Sequence, residues 1–211
     1  MVGLFGENVM NFEMWNPVPI LVTQVSEDTA ITIDKKVYSW TNQNKNYLVA
    51  SEGENLTTSY HSAHNFIDMC GLQELYDVIV ECAAQYTFNL GLKLPNTFKI
   101  DSWINFFTRN QSEHEHTHYG NFLSGCYYVN APEGSAVFSF PDPVRERQMW
   151  RGIYQKYTET ENMLNVNSCS YVPKRGQLLM FQSWMPHSVL KHNSDEPRIS
   201  IAFNVNPIYE I

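Results

Sequence analysis

Residues 114–134, HEHTHYGNFLSGCYYVNAPEG, place three histidines at alternate positions directly before an apolar, β-rich run. Successive side chains of a β-strand point to opposite faces, so His114, His116 and His118 share one face if the strand is regular through residue 118. Glu115 then points the other way. Two imidazoles at positions i and i+2 can bind one metal ion, but a solvated strand end explains this short segment equally well when it is considered alone.

The run at 122–130 is one of several short β-rich runs in the second half of the chain. The predicted strands cover residues 98–107, 122–130, 135–140, 168–173, 177–182, 187–192 and 198–205. They recur about every 8–15 residues, with Gly, Pro, Asn and Asp between them and no long helix. This pattern favours an antiparallel sandwich or barrel over an alternating α/β fold. The polar and aromatic segment 144–167 predicts a long insertion between strands, of the kind that often forms a lid or binding loop.

The first half of the chain shows a different pattern. Residues 17–25 read as a strand, residues 31–40 fit either a strand or a short helix, and the polar stretch 41–62 reads as loop. Apolar residues at spacings of three and four then predict one or two helices over 64–90, with a break at Gly71. These apolar residues are Phe66, Met69, Leu72, Leu75, Ile79 and Cys82, and the helical pattern ends near Gly91.

Composition limits the classes of protein that this chain can be. With 211 residues, 43% of them hydrophobic and 14% aromatic, it can bury the core of one large domain. The net charge of −8 disfavours non-specific binding to nucleic acid or to acidic membranes. No apolar run approaches the roughly 18 residues of a membrane span, and the N-terminus lacks the pattern of a signal peptide. The four cysteines, Cys70, Cys82, Cys126 and Cys169, show no paired spacing, so we expect buried free thiols and a cytoplasmic location.

A second group of polar residues lies far from the histidine cluster in sequence. His187, in WMPHSV, begins a predicted strand and is the best third ligand for an HxH pair. Further on, Arg198 and Ser200 share one face of a strand whose other face is apolar. A buried Arg is costly unless it is paired, so an inward-facing Arg198 predicts a bound carboxylate. The alternative is an exposed edge strand. The remaining histidines, His61, His64 and His192, are expected to be surface residues that bind nothing.

In this order, the motifs HxH, SGCYYV, PEG, FSFPDP, GQLLMFQSWMPHSV and RISIAFN resemble those of the Fe(II)/2-oxoglutarate-dependent oxygenases. The similarity is greatest to a branch found in bacteria and tailed phages and related to prolyl hydroxylases, and it covers about residues 100–206. It implies a mostly β fold, a cupin-like jelly roll or double-stranded β-helix, with a helical N-terminal flank. The whole chain, 1–211, is then one domain, with residues 1–97 as the flank and 98–206 as the β-helix core.

The resemblance also implies a ligand set. Family members hold iron with HxD or HxE and a distal His, which here is His187. No HxD or HxE motif exists in this chain, so the pair is His114/His116 or His116/His118, and the spacing to SGCYYV favours the second. A bulge that turned Glu115 inward would instead restore a carboxylate. Three neutral imidazoles would leave the iron with two net positive charges, which puts catalytic competence in question.

The same resemblance assigns the co-substrate site. It implies that Arg198 binds the far carboxylate of 2-oxoglutarate, assisted by Ser200, Tyr128 and Asn105, and that no catalytic residue is needed beyond the metal ligands. Three aromatic residues are candidates for the pocket wall, although core packing is the favoured role for each of them. These residues are Trp103, Phe181 and Trp184.

The expected function is therefore hydroxylation of a C–H bond with Fe(II), O2 and 2-oxoglutarate. A protein side chain, as in the prolyl hydroxylases, is the first expectation for the substrate, and a phage-encoded protein would act in the host cytoplasm. Neither membrane nor nucleic acid is expected as a partner, and the oligomeric state stays open. The alternatives are a non-catalytic cupin-like metal- or ligand-binding protein, a three-His oxygenase independent of 2-oxoglutarate, and a structural phage protein on a degenerate oxygenase fold.

Overall fold

The computed structural model describes residues 17–50, 56–144 and 149–210. Its strands are β1 (Ile20–Gln24), β2 (Val49–Ala50), β3 (Thr57–Thr58), β4 (Thr97–Phe107), β5 (Glu113–His116), β6 (Leu123–Asn130), β7 (Phe138–Pro141), β8 (Ser168–Tyr171), β9 (Gln177–Gln182), β10 (His187–Val189) and β11 (Arg198–Ile208). Its helices are α1 (Glu27–Gln43), α2 (Phe66–Met69), α3 (Gln73–Asn89) and α4 (Arg151–Tyr157). The strands and the N-terminal helices confirm the predicted mostly β class with a helical flank.

Two antiparallel sheets form the core. The larger has the strand order β1-β9-β6-β11-β4-β3-β2, and the smaller has the order β5-β10-β7-β8. One hydrophobic cluster packs between the sheets and includes Tyr128, Phe138 and Phe181. A second cluster lies on the other face of the larger sheet, where helices α1, α2 and α3 cover it. The larger sheet is therefore buried on both faces, and the smaller sheet encloses a space against one of them.

Strand β11 shows how the sequence fills these two faces. Ile199, Ile201 and Phe203 pack into the cluster beneath the helices. Arg198 and Ser200 alternate with them and line the space between the sheets. Because β11 pairs with β6 on one side and β4 on the other, it is a central strand. The edge-strand alternative for Arg198 is wrong.

Helix α1 resolves the ambiguity over residues 31–40. It begins after Ser26, whose hydroxyl accepts a hydrogen bond from the Thr29 backbone N–H, as an N-cap does. Its buried residues fall at helical spacing: Ala30, Ile33, Val37 and Thr41. The prediction of a loop over 41–62 is wrong in part, because the helix continues to Gln43 and the short strands β2 and β3 follow. These two-residue strands are held by pairing at the edge of the larger sheet. No local sequence pattern predicts such a pairing.

The predicted helical region 64–90 is confirmed and does split at Gly71. Helix α2 ends at Met69, and α3 starts at Gln73. Gly71 and Gly91 have φ angles of 64° and 72°, in the left-handed region that glycine adopts without a steric penalty. Each glycine therefore ends a helix where the sequence predicts it.

The predicted C-terminal strands are also present, with shifted ends. Strand β7 starts at Phe138 instead of residue 135, and β10 has three residues instead of six. Of the predicted insertion, residues 145–148 lie outside the described residues, and the remainder contains α4 between β7 and β8. None of the described helices is both long and apolar enough to cross a membrane.

The four cysteines are free, as expected. Cys82 and Cys126 are buried and Cys70 is half-buried, but Cys169 is exposed. The expectation of burial is therefore wrong for Cys169, which lies on the short strand β8, whose first three residues are all exposed.

Candidate metal centre

Strands β5 and β10 bring three distant histidines together. They pair antiparallel with His187 opposite His116, and His118 follows two residues after the end of β5. One ring nitrogen from each of these histidines lies within 4.8 Å of the others. The three imidazoles can therefore hold one metal ion, whereas His114 is exposed. Of the two HxH pairs left open by the sequence, the structure brings His116 and His118 to the cluster.

Strand β5 is not regular through residue 118, so the condition under which His114, His116 and His118 would share one face does not hold. Its register sets His116 opposite His187 but Glu113 opposite Val189, so β5 has one more residue than β10 between the two pairs. Such a bulge reverses the in–out alternation. Glu113 and His116 consequently both line the space between the sheets. Glu115 is exposed, so the bulge does not turn it inward as one alternative required.

Backbone carbonyls fix which nitrogen faces the cluster in two of the three imidazoles. The Nδ1 atom of His116 lies 2.8 Å from the His114 carbonyl oxygen, and that of His187 lies 3.0 Å from the Met185 carbonyl oxygen. A carbonyl can only accept, so each Nδ1 carries the proton and donates. The Nε2 lone pairs of His116 and His187 are then available to a metal, the arrangement common at protein metal sites.

Burial keeps two of these imidazoles neutral. Burial, together with the neighbouring His116, lowers the pKa of His187 to about 3 and the pKa of His118 to about 4. A neutral imidazole is the form that binds metal. At neutral pH, His118 and His187 therefore present lone pairs and not positive charges.

Aromatic rings surround the cluster. The His187 ring stacks on Phe138 at 5.2 Å between centroids and contacts Phe181 at 4.8 Å. Trp103 lies 5.8 Å from the His118 ring. Trp103 and Phe181 thus line the cavity, the role that the sequence offered as the alternative to core packing. Trp184 is 45% exposed and donates to Gln182, so its predicted place on the pocket wall is wrong.

Arg198 lies at the other end of the same cavity. Its side chain is 1% exposed, and its guanidinium lies 4.8 Å from the Phe107 ring and 4.9 Å from the Tyr128 ring. Nη1 donates to the Ser200 hydroxyl at 3.3 Å, while Nε has no hydrogen-bond partner among the residues that the structure describes. Within the described parts of the chain, no carboxylate forms an ion pair with Arg198. A buried cation without a counterion is costly, so this site suits an anionic ligand.

Polar groups on three adjacent strands surround Arg198. The sheet register sets Ser200 directly between Asn105 and Tyr128. The Thr58 hydroxyl donates to the Asn105 Oδ1 atom at 2.6 Å, which fixes the amide and leaves its Nδ2 as a donor. The Tyr128 hydroxyl is buried without a hydrogen-bond partner in the described structure, and burial raises its pKa well above the usual value.

The histidine cluster and the Arg198 group share one narrow cavity. Its wall includes His116, His118 and His187 together with Arg198, Ser200 and Asn105, but not Tyr128. Its volume is about 30 Å³, room for one or two water molecules. A larger ligand would have to move side chains on entry. Two larger depressions, of about 600 and 570 Å³, are lined by other residues.

The other histidines lie away from this cavity. His61 and His64 are exposed beside the Tyr60 ring, as predicted for surface residues. His192 is fully buried, so its assignment to the surface is wrong. Its Nδ1 accepts from the Ala136 backbone N–H, and its Nε2 lies 2.8 Å from the Glu196 carbonyl oxygen. It is a core histidine with both ring nitrogens satisfied.

Several residues of the site carry no signal that the sequence analysis used. Glu113 reaches the cavity only because of the bulge, and a bulge in a four-residue strand leaves no periodic pattern. Thr58 reaches Asn105 through an edge strand of two residues. Both placements depend on pairing between strands that are distant in sequence.

Comparison with known families and structures agrees with this architecture. Residues 101–204 match a family model described as "Putative 2OG-Fe(II) oxygenase". No curated protein is significantly similar to the chain. A Pseudomonas putida prolyl-4-hydroxylase is similar in structure over 90% of this chain and 93% of its own, with 13% identity and a TM-score of 0.59.

Two further structures extend the comparison. The epimerase SnoN, solved in complex with Fe3+, alpha ketoglutarate and nogalamycin RO, matches 90% of this chain and 79% of its own, with 10% identity and a TM-score of 0.63. An oxidoreductase of the 2OG-Fe(II) oxygenase family from Burkholderia pseudomallei matches 52% of this chain and 45% of its own, with 11% identity and a TM-score of 0.39. The first of these and the prolyl-4-hydroxylase confirm the predicted jelly-roll fold, the double-stranded β-helix.

Proposed function

Because residues 101–204 belong to the 2OG-Fe(II) oxygenase family, we propose that the chain binds Fe(II) through His116, His118 and His187. We propose further that it binds 2-oxoglutarate through Arg198. Members of the family are oxidoreductases that use both Fe(II) and 2-oxoglutarate. One observation carries the proposal. A buried arginine without a described carboxylate partner lines the same cavity as three histidines that can hold a metal. A metal ion and an anionic co-substrate together fit this pair of features.

The residues around the cavity have separate parts in binding. The Nε2 atoms of His116 and His187 face the metal because their Nδ1 atoms bond to backbone carbonyls. Arg198 binds the far carboxylate of 2-oxoglutarate with its planar fork of donors. Ser200 and the Asn105 amide are within the same wall and add hydrogen bonds. The Tyr128 ring holds the guanidinium in place.

When bound, Fe(II) supplies the activation of O2 that oxidation of a C–H bond requires. The chain's own residues exclude water from this chemistry. Phe138, Phe181 and Trp103 cover the cluster with apolar surface. Electrostatic contacts inside such a narrow, partly apolar cavity are stronger than in bulk water.

The proposed substrate is a protein side chain, which the enzyme would hydroxylate. This proposal is supported by the similarity to the prolyl-4-hydroxylase, which covers nearly all of both chains. The same fold also carries the epimerase SnoN, so the fold leaves the outcome of the reaction open. The family match and the cavity together support C–H oxidation as the reaction class.

An anaerobic titration with Fe(II) and then 2-oxoglutarate tests this function. Chelation of the metal by the keto acid should give a visible charge-transfer band, and admission of O2 should then convert 2-oxoglutarate to succinate. Succinate formation that required neither iron nor O2, or a titration without the band, would contradict the proposal.

The small cavity favours a second candidate, a metal-binding protein of the same fold that takes no 2-oxoglutarate. A volume of about 30 Å³ is far below the roughly 300 Å³ at which small-molecule pockets begin. In that case the metal would bind at the histidines and its absorption spectrum would not respond to 2-oxoglutarate. The same titration therefore separates the two candidates.

A further inference from the structure

Glu113 lies beside the metal-facing nitrogen of His116. Its Oε1 atom is 3.6 Å from the His116 Nε2 atom, and its side chain is 21% exposed. Among the described residues on the cavity wall, Glu113 is the only one that carries a carboxylate. Glu115, two residues away, is exposed.

The bulge in β5 explains this placement. In a regular strand, residues 113 and 116 would point to opposite faces. The extra residue opposite β10 changes the alternation, so both reach the same cavity. Bulges commonly re-aim a side chain next to a functional site. Here the bulge brings a carboxylate close to an HxH motif, in which a histidine stands where HxD or HxE has its carboxylate.

The positive charge of the proposed metal site favours a carboxylate at the position of Glu113. A divalent ion held by three neutral imidazoles keeps two net positive charges, and Arg198 adds a third to the same cavity wall. Like charges repel more strongly in a narrow, partly buried cavity than in bulk water. One carboxylate reduces this excess of positive charge and increases the affinity for the metal.

We propose that Glu113 is the anionic partner of the metal ion and replaces the carboxylate that an HxD or HxE motif would supply. This inference rests on the proposed metal site at His116, His118 and His187. Two atoms that each lie about 2.0–2.2 Å from one ion are separated by roughly 3.0–3.5 Å. The observed 3.6 Å between Glu113 Oε1 and His116 Nε2 is close to that spacing. The carboxylate does not lie within 4.8 Å of all three histidine nitrogens, so its side chain has to turn toward His118 and His187 when the metal binds.

The sequence itself provides a matched control. Glu113→Gln keeps the shape of the side chain and removes its charge, and Glu115→Gln makes the same change on the exposed face of the same strand. Co(II), followed by its absorption spectrum, is the probe, titrated at pH 8, where an ordinary imidazole is neutral. We expect the dissociation constant to rise about 10–100-fold in Glu113→Gln, as when a residue that supports a metal site is lost. The Glu115→Gln variant should match the wild type.

The outcomes separate this inference from the function on which it rests. If Glu113→Gln binds Co(II) as tightly as the wild type while His187→Ala does not bind it, Glu113 is no partner of the metal and the histidine site stands. If the wild type fails to bind Co(II), both proposals fail. Circular dichroism of each variant without metal shows whether it is folded, and Glu113→Asp, which keeps the charge on a shorter side chain, should recover part of the affinity.

Discussion

Arg198 is buried in the middle of a seven-stranded sheet, a position that usually holds an apolar side chain. Its guanidinium lies over the rings of Phe107 and Tyr128, and its Nε has no hydrogen-bond partner in the described parts of the chain. Alternation in RISIAF is enough to predict that Arg198 and Ser200 point away from the apolar face. The absence of a described counterion could not be predicted, because it depends on which carboxylates the fold brings near.

Arg198→Ala should weaken 2-oxoglutarate binding to the iron-loaded protein by about 30-fold to several thousand-fold. Loss of one partner of a desolvated charge pair costs roughly 2–5 kcal/mol, and about 1.4 kcal/mol corresponds to a factor of ten. Arg198→Lys should recover only part of the affinity, because an ammonium group cannot form the two-pronged contact. Titration of the charge-transfer band measures both, with iron content verified.

The control for this change is Arg109→Ala. Arg109 is a surface residue paired with the exposed Asp195, away from the cavity. Its loss should leave 2-oxoglutarate affinity unchanged. Equal affinity in the wild type and in both Arg198 variants would refute the co-substrate assignment.

The histidines give a second prediction at this scale. His187→Ala should abolish iron retention, because His187 is the proposed ligand from the distant strand and its imidazole contacts both other rings. His114→Ala, two residues from His116 but exposed, should retain the metal. Metal analysis of the purified proteins is the measurement. Loss of iron in His114→Ala with retention in His187→Ala would show that the ligand set is wrong.

Among the strands, β6 carries a glycine whose role is steric. Gly125 lies opposite Phe203 in the register of β6 and β11. A Cβ added at Gly125 would overlap the Phe203 ring and the Leu179 carbonyl oxygen. The Phe203 ring thus packs over the glycine. Gly125 of the SGCYYV motif is therefore needed for close packing in the larger sheet.

Gly125→Ala should therefore destabilise the fold by about 1–3 kcal/mol, the usual cost of overpacking a core. Gly152→Ala is the matched control, because Gly152 lies in helix α4 with nothing within 4 Å of the added Cβ. Its unfolding free energy should be unchanged or slightly higher. Chemical denaturation of both variants gives the comparison, and equal midpoints would contradict this reading of Gly125.

The elements also show where sequence analysis succeeds and where it does not. The helices around Gly71 and the strand β11 follow from periodic patterns that span several turns or residues. The bulge in β5 and the edge strand β3 do not, because pairing partners decide them. The three-histidine cluster was predictable from spacing and family resemblance, whereas Glu113 required the register of β5 against β10.

For the whole molecule, the candidate site requires both sheets. The smaller sheet contributes His116 and His187 from β5 and β10, and the larger contributes Arg198 from β11. The backbone N–H of His118 donates to the Ser183 carbonyl oxygen at 2.9 Å, which anchors the third histidine beyond the end of β9. Metal and co-substrate would bind across the interface between the sheets, so binding should stabilise their packing.

Metal and 2-oxoglutarate should consequently raise the melting temperature in two separable steps. A ligand that binds only the folded state at 100 times its dissociation constant adds about 2.7 kcal/mol, or roughly 5–11 °C for a chain of this size. In Arg198→Ala the metal step should remain and the 2-oxoglutarate step should shrink to about 0.9 kcal/mol or less, since a roughly 30-fold weaker ligand is then present at only about three times its dissociation constant. In His187→Ala both steps should vanish. Glutarate, which lacks the keto group, is the control for simple anion binding. A 2-oxoglutarate step of equal size without metal, or one that glutarate reproduces in full, would show that the dicarboxylate binds without chelating a metal at the histidines.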